Sequence, residues 1–348
     1  MEGFVDDWQV SSAGLYLLVF LLSLFLTALL LRYAAVLGIQ DQAGHRSLHS
    51  GTMPRTGGLA IIASILIGFI VIHRFFIPLP HVSLLLTSLL LIAAIAFLDD
   101  LWSLPTGLRL LVQMLVVLIV LKMAIAPTAL QLPGFEFSLP PPVSLIVTFL
   151  FLLWFINLYN FMDGMDGFAA GMAVIGFSTY AILGWVGQNP AFIMVNFCIA
   201  CAAAGFLRYN LPPAKLFMGD SGSSILGLLA GMQTLVAESI DLFPIWVGIL
   251  VFSPFVVDAT FTLLRRLWRR ERIWEAHRSH CYQRLVLSGW GHRRTVRAEY
   301  VLMLLAAVSA VIAVSAGAGM QQAIVALWAL TYGALIIWVS TKKDEITG

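Results

Sequence analysis

The sequence predicts an all-α, polytopic integral membrane protein with about eleven spanning helices. Three observations carry this. Hydrophobic types make up 60% of the 348 residues and charged types only 11%, where a soluble domain carries roughly 25% charged. Apolar runs near the length that a bilayer core asks of a helix, about 20 residues, recur along the whole chain. The lysines and arginines collect in alternate loops between those runs.

The runs lie near 13–31, 57–77, 82–98, 107–126, 143–161, 167–186, 191–207, 221–237, 243–264, 299–316 and 321–340. Backbone hydrogen bonds must close inside lipid, so each run is read as a helix. The first follows Glu2, Asp6 and Asp7 rather than a basic segment, which makes it a retained span and not a cleaved signal. The second opens on Gly57-Gly58, the third ends in Asp99-Asp100, and the fourth opens with Arg109 and Gln113. Residues 127–142 are proline-rich around Gly134 and have room for a small hairpin. Cys198 and Cys201 form a C-x-x-C inside the seventh run, where small residues packing between helices outweigh redox chemistry. With Cys281 they make three cysteines, too few for a disulfide framework. No repeat or soluble linker interrupts the pattern, so residues 1–348 are read as one membrane-embedded domain.

Orientation follows from charge. With the N-terminus outside, the cytoplasmic loops fall at about 32–57, 99–107, 162–167, 208–220 and 265–298, and the C-terminus is cytoplasmic. That side then receives 18 of the 20 lysines and arginines, leaving only Arg74 and Lys122 outside. The positive-inside rule selects this topology, and an even number of spans would break the alternation.

Polar residues beyond what topology needs gather in these same loops. Asp99 and Asp100 end the third run; paired carboxylates at a membrane boundary are costly without a cation. They can share a metal, or one can act as a base that the other orients. A solvated helix end is the alternative. Asn157, Asn160, Asp163 and Asp166 follow at three-residue spacing, with Gly164 and Gly167 between and after the acids. Continued as a helix, this spacing puts them on one face. Two amides and two carboxylates are hard oxygen ligands, suited to Mg²⁺ or Mn²⁺ rather than zinc. The stretch 218–223, M-G-D-S-G-S, opens the eighth run. Its backbone N–H groups can cradle phosphate, with Asp220 beside them as a metal ligand. In the loop 265–298, His277, His280 and Arg284 stand at helical spacing, a pattern that binds a phosphorylated ligand more readily than zinc. Residues 41–58 bring His45, Arg46, His49 and Arg55 to the start of the second run, again phosphate-handling types. Together these clusters imply one charged, water-soluble substrate meeting a lipid substrate at the membrane–cytosol boundary.

With R-S-x-H…P-R-x-G-G at 46–58, F-L-D-D at 97–100, N-x-x-N-x-x-D-G-x-D-G at 157–167, M-G-D-S-G-S at 218–223 and H-R-S-H-x-Y-Q-R at 277–284, the chain resembles the polyprenyl-phosphate N-acetylhexosamine-1-phosphate transferases. The resemblance covers nearly the whole chain. It implies an enzyme of the bacterial inner membrane, its active site facing the cytoplasm. This enzyme would transfer sugar 1-phosphate from a UDP-N-acetylhexosamine to undecaprenyl phosphate, release UMP and use Mg²⁺ or Mn²⁺. By motif, Asn160 and Asp220 are expected as metal ligands and Asp99, Asp100 and Asp163 as catalytic carboxylates. Arg46, His49, Arg55, Asn157, Asp166, His277, His280 and Arg284 are expected to bind substrate. Expected partners are the UDP-sugar, the lipid phosphate and membrane lipid, with a homodimer allowed and no nucleic acid.

The form of the last motif resembles the branch that primes O-antigen or exopolysaccharide. The muramoyl-pentapeptide transferase of peptidoglycan synthesis carries three consecutive histidines in this loop instead. A transporter is a further alternative, but transporters commonly place polar residues at mid-membrane on broken helices in paired repeats.

Overall fold

The computed structural model describes residues 2–37, 40–41, 53–102, 104–272 and 277–342. Helices dominate. In chain order they are α1 (Glu2–Leu37), α2 (Gly57–Val71), α3 (Val82–Trp102), α4 (Thr106–Leu121), α5 (Pro141–Phe161), α6 (Phe168–Val186) and α7 (Pro190–Asn210). Then come α8 (Gly219–Ser239), α9 (Ile245–Val251), α10 (Ser253–Trp268), the short α11 (Cys281–Leu285), α12 (Gly291–Val314) and α13 (Ala318–Thr341). The hairpin for which 127–142 has room is present: β3 (Ala129–Leu132) pairs antiparallel with β4 (Phe135–Ser138). A second, two-residue pairing joins β1 (Gln40–Asp41) to β2 (Met53–Pro54).

Each of the expected apolar runs is helical, but they are not equivalent. Among the described residues eight helices are long and apolar enough to cross a membrane, or up to nine when the bent pair α9–α10 counts as one. The chain is therefore an all-α, multi-pass membrane protein. The runs that depart from a plain span are α4, α8 and α9–α10, and each has a physical reason. Helix α4 is short, 16 residues.

Helix α8 is rich in Gly, Ser, Gln and Thr, yet Ser221, Ser223, Ser224, Gln233 and Thr234 are all buried. It packs against α2, α3 and α5. A helix sheathed by protein needs no lipid-compatible surface; its polar groups need partners. Thr234 meets Tyr180 of α6 at 2.6 Å, hydroxyl to hydroxyl. The Asn196 amide of α7 donates to Gln233 Oε1 at 3.2 Å.

The expected straight run 243–264 is broken: α9 and α10 meet at 88°. Pro254 stands in the first turn of α10. It has no N–H to continue α9 and its ring crowds the preceding turn. Ser253 Oγ donates to the freed Leu250 carbonyl at 2.7 Å. The loop expected over 265–298 is also shorter. Helix α10 runs on to Trp268, and α12 already begins at Gly291.

The segment before α2 is zipped to the segment before α8. Phe217 N donates to Pro54 O at 2.9 Å, Gly57 N to Phe217 O at 3.0 Å, and Gly58 N to Met218 O at 2.8 Å. This brings Gly58 onto Gly222, so close that a Cβ on Gly58 would collide with the Gly222 backbone. Gly58→Ala is therefore expected to cost about 1–3 kcal/mol by overpacking, read as a lower unfolding midpoint in detergent. An unchanged midpoint would mean that α2 and α8 part here without penalty.

Candidate active site

Four helix ends meet on one face of the bundle. The last turn of α3 supplies Asp99 and Asp100, the first turn of α4 Arg109, the end of α5 Asn157 and Asn160, and the first turn of α8 Asp220. Arg109 Nη1 donates to Asp99 Oδ2 at 2.6 Å and to Asp220 Oδ2 at 3.1 Å. One guanidinium thus ties two carboxylates from different helices. The other Asp99 oxygen accepts the Leu104 N–H at 2.7 Å. Asp100 accepts the N–H groups of Asp220 and Ser221 at 3.1 and 3.4 Å. A carboxylate there satisfies orphan donors and the positive end of the α8 dipole. Two N–H groups of the expected phosphate cradle are therefore held by Asp100. Gly219, at φ +75°, permits this, since a Cβ there would lie 2.8 Å from Asp100 Oδ2.

Asn160 Oδ1 accepts from Ser223 Oγ at 3.3 Å, and its side chain also bonds Asp220. Asp163 lies past the end of α5, in the loop before α6, and feels the charges of Asp220, Asp100 and Arg55. Burial, and next the Asp220 carboxylate, push its pKa up to about 7. Asp99, Asp100, Asp163, Asp220, Asn160 and Arg55 are thus brought together, with Arg109 among them. Four carboxylates face two guanidiniums, an excess of negative charge in a half-buried place.

Other expected residues sit elsewhere. The helix ends at Phe161, so the three-residue spacing does not put Asp163 and Asp166 on one face with the amides. Asn157 donates to Gln113 Oε1 at 3.0 Å and to Leu153 O at 2.8 Å, bracing α5 against α4. Asp166 accepts the Ala214 N–H at 2.9 Å and lies 3.4 Å from His292 Nδ1, which fastens the 162–167 loop to its neighbours. His277, His280 and Arg284 do not share one helix face. His280 is the extended N-cap of α11 and His277 precedes the helix. His277 is held down to about pKa 4 by burial, with His280 and Arg266 nearby, so it is neutral at pH 7. Arg284 points to the carbonyls of Ser340 and Lys342 at the end of α13, at 3.4 and 3.3 Å. Arg46 and His49 lie outside the described residues.

Three residues that the expected site left out matter here. Arg109 and Gln113 lie one turn apart on α4, and their signal was legible as the polar pair opening an otherwise apolar helix. Asp258 of α10, a lone acid within an apolar run, gathers the H-R-S-H turn around itself.

The donor chemistry fits a hard divalent cation. Among the described residues no three His, Cys, Asp or Glu side chains close round one point. Mg²⁺ does not need that, because it commonly takes one or two carboxylates and completes its shell with water and substrate phosphate.

A multi-pass helical membrane protein with acids, amides and arginines gathered at helix ends is the class these features define. The profile of the glycosyl transferase family 4 matches residues 81–238, which hold Asp99, Asn160 and Asp220. The probable undecaprenyl-phosphate N-acetylglucosaminyl 1-phosphate transferase of Bacillus subtilis (strain 168) is 29% identical over 318 residues, 90% of this chain and 87% of that protein. The phospho-N-acetylmuramoyl-pentapeptide-transferase of Staphylococcus epidermidis (strain ATCC 12228) is 28% identical over 286 residues, 77% of this chain and 87% of that protein. The undecaprenyl-phosphate alpha-N-acetylglucosaminyl 1-phosphate transferase of Yersinia pestis is 27% identical over 300 residues, 83% of this chain and 80% of that protein. The chain is thus similar to the glycosyl transferase family 4 over residues 81–238 and to polyprenyl-phosphate sugar-phosphate transferases over most of its length.

The raised pKa of Asp163 has a consequence for stability. An unfolded aspartate ionises near 3.8, the folded one near 7. The folded state therefore holds a proton that the unfolded state has lost, and this contribution to stability drains away as pH rises from about 4 to 7. Without divalent ions, Asp163→Asn should unfold at a higher temperature than the wild type at pH 8. The gap should narrow on going to pH 5. A gap independent of pH would place the titration elsewhere.

Proposed function

We propose that this protein transfers N-acetylhexosamine 1-phosphate from a UDP-N-acetylhexosamine to undecaprenyl phosphate, releasing UMP. The carrying observation is the Asp99–Arg109–Asp220 bridge, with Asn160 and Asp163 beside it, at the ends of four helices. The similarity to enzymes named for this transfer supports the same reading. A lipid-phosphate oxygen attacks the β-phosphorus of the donor, the bond from that phosphorus to the bridging oxygen breaks, and UMP carries that oxygen away. The lipid retains a diphosphate-linked sugar.

Phosphoryl transfer depends on alignment and charge neutralisation more than on covalent help. Asp220 and Asn160 would hold Mg²⁺, with Mn²⁺ as substitute. The bound ion would supply neutralisation of the diphosphate. Arg109 lies among the acids and Arg55 acts on Asp163, so both would lend positive charge to the reacting phosphates. A phosphate monoester is already largely ionised at neutral pH, so a strong base is unnecessary. Asp99, with one oxygen on Arg109 and the other on the Leu104 N–H, suits orientation through Arg109 better than proton abstraction. Asp100 keeps the start of α8 in register.

The lysine and arginine distribution supports a site facing the cytoplasm, in the bacterial inner membrane, with the C-terminus on the same side. The H-R-S-H-C-Y-Q-R form of the last motif supports GlcNAc or a deoxy derivative as the sugar. It also supports a role in priming O-antigen or another surface polysaccharide. A muramoyl-pentapeptide donor is the second reading, favoured by the relatives of that name.

Membranes carrying the protein, given undecaprenyl phosphate and a panel of UDP-sugars, should release UMP only when the lipid phosphate and Mg²⁺ or Mn²⁺ are both present. The product mass identifies the sugar. Asp220→Ala should lower the rate by about 10²-fold or more. Full activity in that variant would sink the metal assignment, and counterflow of an unchanged solute would replace the enzyme with a transporter.

A further inference from the structure

Beyond the acidic centre, one buried carboxylate collects more donors than packing alone explains. Asp258 is 8% exposed, on the inner face of α10. Its Oδ1 accepts the Cys281 N–H at 2.9 Å, the Thr262 hydroxyl at 3.1 Å and His280 Nδ1 at 3.2 Å. Its Oδ2 accepts the Tyr282 N–H at 3.0 Å. Four donors from α10 and the H-R-S-H turn therefore converge on two oxygens. The turn closes further through the His280 N–H, which donates to Gln283 Oε1 at 3.3 Å.

The turn is also tied to the acidic centre. Tyr282 lies against Phe168, ring centroids 5.0 Å apart, and its hydroxyl donates to Phe161 O at 3.2 Å. The His280 ring is 6.3 Å from the Phe161 ring and 4.9 Å from the His277 ring. Phe161 follows Asn160 directly. His280 is thus held next to the segment that carries Asn160 and Asp163, by a residue on another helix.

An ionised carboxylate only accepts. Against Asp258 the Nδ1 of His280 must therefore be the nitrogen that carries hydrogen, and Nε2 is the nitrogen left for a ligand. We infer that Asp258 is a positioning residue: it fixes the His280 ring and its tautomer so that Nε2 meets the donor substrate, while holding the backbone of the same turn. This rests on the transferase reading for what His280 meets, but the tautomer itself does not.

Asn at 258 would offer one acceptor oxygen and one donor amide where two acceptors stand. Turned toward His280 Nδ1 the amide would also oppose the Cys281 N–H, and turned the other way only the Tyr282 N–H, so Asn keeps an acceptor for His280. Ala removes it and leaves the neutral imidazole free to carry its hydrogen on Nε2. Glu would keep the charge and both acceptors.

The test uses the full-length protein in detergent with ¹⁵N-labelled histidine, the His280 signals assigned by their loss in His280→Gln. Wild type should show hydrogen on Nδ1, Asp258→Ala should show it on Nε2, and Asp258→Glu should keep the wild-type pattern. In the UMP-release assay Asp258→Ala should lose about 10- to 100-fold in kcat/KM, the range for removing a partner that orients a functional histidine. The double variant Asp258→Ala/His280→Gln should be no slower than His280→Gln alone. Wild-type hydrogen on Nε2 alone, an unmoved tautomer in Asp258→Ala, or losses that multiply in the double variant would overturn the inference. If no UDP-sugar gives UMP, the transferase reading fails, while the spectra still decide whether Asp258 sets the tautomer.

Discussion

Like charges brought together at the ends of buried helices are the constraint on which this structure turns. Asp99 and Asp100 close α3, Asp220 opens α8, and Asp163 follows α5. Held apart in water these carboxylates would cost little. Gathered at a lipid boundary they raise one another's cost of ionisation, and Asp163 reports it. Arg109 relieves part of the strain by bridging Asp99 and Asp220, and Asp100 relieves another part by spending its charge on the N-terminus of α8. The remaining repulsion is what the cation proposed for Asp220 and Asn160 would offset.

The architecture follows from placing those ends. Helix α8 must enter the bundle from the acidic centre, so its first turn cannot be lipid-facing, and its Gly and Ser residues let α2 and α5 approach closely. The zipper from Pro54–Gly58 to Phe217–Met218 then fixes where α8 starts relative to α2. Helix α4 is short, and its first turn brings Arg109 to the acids while Gln113, one turn on, braces Asn157. What looks like an imperfect span is a helix whose work is at its end.

Much of this was legible in the sequence, and the exceptions have a common cause. Apolar runs located every long helix, because the bilayer demands length and apolarity of any helix it touches. The same rule misreads helices shielded by protein: α8 is read as one more span, and the bend at Pro254 disappears inside a continuous apolar run. At the centre, Asp99, Asp100, Asn160, Asp163, Asp220 and Arg55 were found because each breaks an apolar run at its end. Asn157, Asp166 and Arg284 carry the same signal, yet the structure spends them on bracing, on a loop tie and on the end of α13. A residue type at a helix end does not say which neighbour it will face. Asp258 failed in the opposite direction: a single acid inside a helix gives no spacing to read, and its meaning lies in a turn 22 residues later.

The site therefore has two supports. One is the Arg109 bridge, which sets the acids of α3 and α8. The other is Asp258, which sets the histidine turn. They meet through the short stretch 160–168. Asn160 bonds to the α8 side, the Phe161 carbonyl and the Phe168 ring take the Tyr282 side, and Tyr300 of α12 holds the Gly167 carbonyl at 2.6 Å. Asp163 lies in the middle of that stretch. A change at either support reaches Asp163 through backbone that is tied on both sides. Asp163 is thus also the point where displacement of the histidine turn would be felt by the acidic centre.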